Sequence, residues 1–230
     1  MKFLIISDLH GNIEILDKLD KEFEAADAVL FAGDFARFGK IETAKPALEA
    51  LCKKHEVIFS VIGNCDSPDF INEIEAKDIS IQNSISSWNG LTLAGCGGGT
   101  KFKGDTPNER TEEEIIADLH LISDMGNQIW NNLVLIMHNP PKNTACDCVG
   151  NDIHVGSEVL RSFIETYSPS LVVTGHIHEG IAIDKIQTAN GSATIINPGA
   201  LLEGHYAVAE LKQESNGRWE VHNAELRSIN

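Results

Sequence analysis

The feature of this chain that most restricts its fold is a pattern of punctuation. Apolar runs of strand length recur, and each stops abruptly at a small or polar residue. The run over residues 3–6 ends in Ser7-Asp8, 28–32 in Gly33-Asp34, 57–62 in Gly63-Asn64, 133–137 in His138-Asn139, and 171–173 in Thr174-Gly175-His176. Runs that are apolar throughout mark strands buried on both faces. Helix-period segments lie between several of them. Ile13, Leu16, Leu19 and Phe23 share one helical face. Thr111 and Glu114 form a capping box that opens a helix toward Ile116, Leu119 and Leu121. Residues 157–164 read as a further short helix. The C-terminal third changes character: 181–186, 193–196, 206–211 and 219–221 are short runs separated by Gly, Asn and Ser, which predicts antiparallel strands with tight turns. The chain is therefore expected to be α/β, with mixed sheets packed face to face and helices outside. It is also expected to form a single domain over residues 1–230, since no Pro- or Ser-rich linker, repeat or low-complexity tract divides it and 42% of it is apolar.

The residues that close these runs carry the chemistry. Asp8-Leu9-His10, Asp34, Asn64, His138 and His176-Ile177-His178 follow five predicted strands, so seven side chains are delivered to one edge. In open α/β sheets, ligands bind in the crevice beyond the carboxyl ends of the strands. Asp-x-His and His-x-His do not suit a helix face, whose neighbours are three or four apart; in a strand-end turn, residues two apart converge. Carboxylate, imidazole and amide oxygen without thiolate suit manganese, iron or zinc. Seven ligands exceed what one catalytic ion with an open position accepts, and match two ions sharing a carboxylate. Taken singly, an Asp after a strand is ordinarily a turn or cap residue, and a lone His a core or surface residue. Their joint placement carries the inference.

The ordered set Asp8-x-His10, Gly33-Asp34, Gly63-Asn64, His138 and Gly175-His176-x-His178 resembles the calcineurin-like metallophosphoesterases, from residue 3 to about 200. His138-Asn139-Pro140-Pro141, His154-Val155-Gly156-Ser157 and Asn197-Pro198-Gly199 look like the small prokaryotic, archaeal-type branch. The resemblance implies a four-layer αββα sandwich and hydrolysis of a phosphate ester with two divalent transition-metal ions (manganese, iron, zinc or nickel, manganese favoured). It implies that Asp8, His10, Asp34 and His178 hold the first ion, and that Asp34, Asn64, His138 and His176 hold the second, Asp34 being shared. The expected reaction is direct attack on phosphorus by a hydroxide bridging the ions, without a covalent enzyme intermediate.

One block departs from the family pattern. Where a His ordinarily follows Gly-Asn, this chain reads Gly63-Asn64-Cys65-Asp66. That His stands near the leaving group as proton donor, whereas a thiol is a weak donor without positive charge. Poor turnover of esters with basic alkoxide leaving groups is expected, and a preference for diesters. Some small prokaryotic members with the same Cys look like phosphodiesterases. His154 is the candidate replacement acid, against the plainer reading of a loop residue with no role. The catalytic candidates are thus Asp34, Asn64, His138, Cys65 and His154. The alternatives are a phosphomonoesterase or protein phosphatase, and a non-catalytic protein-binding scaffold of the same fold.

Charge narrows the partners. A net charge of −16 opposes binding to polyanions, and no basic, aromatic-interleaved patch offsets it, so nucleic acid is not the expected partner and a small phosphate ester is. No run approaches the ~18 apolar residues of a membrane span, and the apolar start is too short for a secretion signal, so a cytoplasmic protein is expected. Five cysteines, an odd number, are expected to be free thiols. The longest irregular stretch, 95–107, has four glycines in its first five residues and then Lys101, Lys103 and Asp105. It reads equally as the wall of a site or as a surface loop. Arg37, Lys101, Lys103 and Arg110 are read as solvated charges before phosphate contacts.

Overall fold

The computed structural model describes residues 1–126 and 130–229. Its strands are β1 (Lys2–Ile6), β2 (Ala28–Phe31), β3 (Ile58–Ser60), β4 (Ile85–Trp88), β5 (Leu91–Cys96), β6 (Gly99–Thr100), β7 (Glu109–Arg110), β8 (Leu133–Met137), β9 (Cys148–Val149), β10 (Ile153–His154), β11 (Leu171–Val173), β12 (Ala182–Thr188), β13 (Gly191–Asn197), β14 (His205–Gln213) and β15 (Trp219–Ser228). Its α-helices are α1 (Asp20–Ala25), α2 (Ala44–Cys52), α3 (Ile71–Ala76), α4 (Glu112–Ala117), α5 (His120–Asp124) and α6 (Glu158–Tyr167).

The apolar runs form the parallel centres of two mixed sheets. One sheet has the order β15-β14-β1-β2-β3, the other β12-β13-β11-β8-β5-β4. β1, β2 and β3 are parallel, and so are β5, β8, β11 and β13; the antiparallel members sit at the edges. Strand alternation then assigns each side chain to a layer. Phe3, Ile5, Ala28 and Leu30 meet Leu93, Val134, Ile136 and Val173 in the core between the sheets. Leu4, Ile6, Val29 and Phe31 point the other way, onto Leu16, Leu19, Phe23 and Leu48. On the far side, Ala94, Leu135, Met137 and Val172 pack against Ile115, Leu119, Leu160 and Ile164. Those three apolar layers separate four structural ones, the expected αββα sandwich.

Two local expectations are corrected. Residues 91–96 form β5, so Gly95 and Cys96 belong to a strand and not to the irregular loop. Gly95 is there because a Cβ would come within 2.6 Å of Ile136 O and of Val61, where the two sheets approach closely; close approach imitates a loop signal. The Thr111–Glu114 capping box forms as expected, but the buried face beyond it is Ile115, Leu119 and Ile122, while Leu121 is 37% exposed. The segment breaks between α4 and α5, which resets the helical phase.

Candidate metal centre

The parallel strands of both sheets end on the same rim. β1 runs into Asp8 and His10, β2 into Asp34, β3 into Asn64, β8 into His138, and β11 into His176 and His178. The chain turns sharply at these points. Asp8, His10, Asp34 and His176 have φ of 55, 47, 60 and 66°, in the left-handed region where residues with a Cβ are uncommon. Cross-loop hydrogen bonds hold them there: Asp8 N to Gly33 O at 2.9 Å, His10 N to Asp34 O at 3.0 Å, and His176 N to the Asp8 carboxylate at 3.1 Å. Glycine is required where the loops touch. A Cβ on Gly63 would fall on the Asp34 carboxylate, and one on Gly175 on the Ser7 hydroxyl.

All seven sequence-predicted donors are brought together. His178 Nε2 lies 3.4 Å from Asp8 Oδ1 and 3.4 Å from His10 Nε2. Asn64 Oδ1 sits between His138 Nε2 at 2.8 Å and His176 Nδ1 at 2.7 Å. The Asp34 carboxylate stands between the two groups, Oδ2 3.7 Å from His10 Nε2 and Oδ1 3.6 Å from His138 Nε2. The outer nitrogens of two imidazoles are anchored: His10 Nδ1 on Ala36 O at 2.9 Å and His138 Nδ1 on Ala32 O at 2.6 Å. A carbonyl only accepts, so each Nδ1 donates to it, and each Nε2 faces the cluster.

The electrostatics ask for a cation. Asp8 and Asp34 are almost wholly buried, and among the described residues their ion pairs are with imidazoles alone. Asp8 Oδ1 is buried and accepts no hydrogen bond. Burial alone would raise the Asp8 carboxyl, but His178, His138 and His10 hold it well below the usual range. The Asp8 carboxylate in turn lifts His178 to about 9. Burial, with the neighbouring His138, depresses His176 to about 4, so it is neutral and free to donate a lone pair at neutral pH. Asp8, His10 and His178 form one group that could hold a metal ion, and Asp8, Asp34 and His138 another.

Sequence reasoning missed what Asp66 does. Its carboxylate accepts backbone N–H groups from Asp34 (3.1 Å), Phe35 (3.2 Å), Ala36 (2.7 Å) and Gly63 (2.8 Å). It ties the loop after β2 to the loop after β3 and so sets the position of Asp34. Burial and the charge of Asp34 push its carboxyl up to about 6, against the pull of those N–H groups.

Cys65 is buried beside the cluster, its sulfur within 4.8 Å of donor atoms of His10 and Asp34. Burial and the Asp34 carboxylate push its thiol far up, so it stays neutral. His154 is not brought to the cluster. Its Nδ1 bonds Asp147 Oδ1 at 2.8 Å, while its neighbour Val155 lines the adjoining cavity. That cavity, about 740 Å³, opens from Asn64 and His176 and is walled by the 100–109 segment, including Lys101 and Lys103. The part of the irregular stretch from Thr100 onward is thus a site wall, folded over the Glu109 carboxylate, which accepts N–H groups from Phe102, Gly104 and Asp105. Arg110 points away and pairs with Asp118 at 2.6 and 2.9 Å.

Comparison with known proteins gives the family and agrees with the fold. The family model for calcineurin-like phosphoesterases matches residues 1–180. The uncharacterized protein MJ1162 of Methanocaldococcus jannaschii is 36% identical over 203 residues, covering 86% of this chain and 88% of its own. Among solved structures, TT1561 of Thermus thermophilus superposes with a TM-score of 0.70 at 17% identity, over 100% of this chain and 99% of that one. The purple acid phosphatase PPD1 of yellow lupin superposes with a TM-score of 0.50 at 12% identity, over 99% of this chain and 53% of that one. These two likenesses are of fold.

Proposed function

The chain belongs to the calcineurin-like phosphoesterase family, and from that premise we propose that it hydrolyses small phosphate esters, diesters before monoesters, with two divalent cations. Asp8, His10, Asp34 and His178 would hold one, and Asp34, Asn64, His138 and His176 the other. The observation that carries this reading is the Asp34 carboxylate standing between two donor groups with one oxygen toward each. Bound there, the cations would act as Lewis acids on the phosphoryl oxygens and lower the pKa of water.

The chain's own residues do the rest. The anchored imidazoles and the Asp66 cradle hold the donors in place before any ligand arrives, which is the preorganisation that electrostatic catalysis needs. Cys65 bears on the choice of ester. A neutral, buried thiol offers no positive charge to the second negative charge of a monoester, and little help to a basic leaving oxygen. A monoanionic diester with an acidic leaving group asks for neither. The donor set of imidazole, carboxylate and amide oxygen accepts manganese, as it does iron, zinc or nickel. All five cysteines are free, which supports a cytoplasmic setting.

The test is a panel of bis-p-nitrophenyl phosphate and p-nitrophenyl phosphate with Mn²⁺, Ni²⁺, Zn²⁺ and Mg²⁺. Diester turnover is expected to exceed monoester turnover, and Mn²⁺ to serve best. Protein that binds two metals and cleaves neither ester would sink the enzymatic reading. Cys65→His should raise the monoester-to-diester ratio by ~10²-fold or more, the lower part of what a general acid contributes; an unchanged ratio removes this position from the choice.

A further inference from the structure

The cavity beside the cluster has a feature that phosphate chemistry alone does not need. Two phenylalanines face it from separate loops and remain largely open to solvent: Phe102 is 84% exposed and Phe38 60%. Val155, on a third loop, is 40% exposed and lines the same space. Exposing one large apolar side chain is ordinary, but several converging on one cavity mark a place where something apolar is received. The cavity is continuous with the metal centre, because Asn64 and His176 line both. Its occupant is therefore part of a molecule whose phosphate lies at the cluster.

The charges choose the kind of group. An acyl chain needs apolar walls throughout, yet Lys101, Lys103, Asp105 and Glu179 share this lining. A flat ring with polar edges fits both demands, its faces against phenyl rings and its edge toward charged side chains. The wall is already arranged for such contacts: Lys103 Nζ sits 5.1 Å from the Phe102 ring centroid. The volume, about 740 Å³, holds a ring and a sugar-sized connector and is in the range of small-ligand sites.

We propose that Phe102 and Phe38 are specificity-determining residues that receive a flat heteroaromatic ring, of nucleobase size, carried by the phosphate ester that this centre hydrolyses. The inference rests on the phosphoesterase reading above. It concerns a single nucleotide-sized unit, consistent with a chain whose charge of −16 opposes long polyanions.

The test compares three phosphate monoesters as competitive inhibitors of bis-p-nitrophenyl phosphate hydrolysis by the Mn²⁺-loaded protein: deoxyribose 5-phosphate, octyl phosphate and thymidine 5′-phosphate. All three present the same phosphate, so differences report the attached group. Thymidine 5′-phosphate is expected to inhibit at the lowest concentration, and Phe102→Ala to weaken it by roughly tenfold, the loss typical of one stacking contact. The same variant should leave inhibition by deoxyribose 5-phosphate unchanged. Phe102 is exposed, so its removal does not threaten the fold. Octyl phosphate binding best would overturn the proposal in favour of an acyl chain. Equal inhibition by thymidine 5′-phosphate and deoxyribose 5-phosphate, or no effect of Phe102→Ala, would also overturn it. If the protein cleaves no ester, the diesterase reading falls separately. The same three ligands are then compared by calorimetry, where equal Kd values for base and base-free sugar phosphate overturn the ring site.

Discussion

The candidate metal centre and the cavity wall meet at Asn64 and His176, yet they are built by opposite means. At the centre, side chains leave the ends of buried parallel strands, the backbone is forced to positive φ at four positions, and loops are sewn together through Asp66. Along the wall, Phe102, Lys101 and Lys103 stand on a segment without helix or long strand, whose turn folds over the Glu109 carboxylate, and Phe38 faces them from another loop. The first arrangement holds its donors through a network of short hydrogen bonds, the positioning that reaction chemistry needs. The second leaves side chains in water until a ligand covers them, as selection among substrates allows. The comparison predicts that changes at the centre abolish reaction, while changes at the wall alter which ester reacts.

The largest effect should come from Asp34→Asn. The amide keeps the shape of the carboxylate but loses the charge between the two donor groups. Metal content is expected to fall below two per chain, and turnover by about 10²–10³-fold, as when a preorganised charge-stabilising group is removed. Metal analysis with steady-state kinetics decides this. Two retained ions and full turnover would end the shared role of Asp34.

Next is Asp66→Asn, which touches no donor atom. Both carboxylate oxygens accept N–H bonds, so an amide must aim its NH₂ at one of those donors. A loss of about 1–3 kcal/mol in stability is expected from the orphaned N–H, and a 10–100-fold loss in metal affinity, as for partners that orient ligands. Denaturation and metal titration read the two separately. If neither moves, the centre is not held by its outer contacts, and its contrast with the wall weakens.

How far each region can be read from sequence follows the same division. The donors are legible because each ends an apolar run, and strand ends in a parallel sheet share one rim whatever the details of the fold. Asp66 is not, since three of the four N–H groups it accepts lie on the loop after an earlier strand, and no local pattern encodes a contact across loops. The end of β5 is hidden because Gly95 marks a close approach of the two sheets, and that resembles a turn signal. Lys101 and Lys103 read as ordinary surface charge, and nothing in a glycine-rich sequence says which face of the loop will border the centre.

A smaller effect is expected from pH. In the metal-free centre the Asp8 carboxylate holds His178 protonated up to about 9, whereas a metal needs its neutral form. Loading the cation at pH 7.5 should therefore release about one proton from this group, and apparent affinity should rise by up to ~10-fold per pH unit below 9 and then level off. His176, depressed to about 4 by burial, is already neutral and adds nothing. Calorimetry in two buffers of different ionisation enthalpy counts the protons. A count of zero would show that His178 is neutral before the metal arrives.

The smallest effect should be that of His154→Ala, and it asks whether the wall takes any part in the chemistry. His154 pairs with Cys148 across the β9–β10 hairpin, and Val149 pairs with Ile153. Val149 and Val155 line the cavity, so strand alternation turns His154 to the opposite side. There its ring meets Asp147, a buried carboxylate that also accepts N–H groups from Asn143, Thr144 and Gly156. Removing one of several donors to a satisfied acceptor should cost about 0.5–1.5 kcal/mol of stability, and diester turnover at neutral pH should stay as it was. A general acid would behave otherwise: its loss would lower kcat for basic leaving groups far more than for p-nitrophenolate, and remove the alkaline limb of the pH profile. If His154→Ala does that, the hairpin must move to bring its imidazole round to the ester, and the wall would then supply chemistry as well as selection.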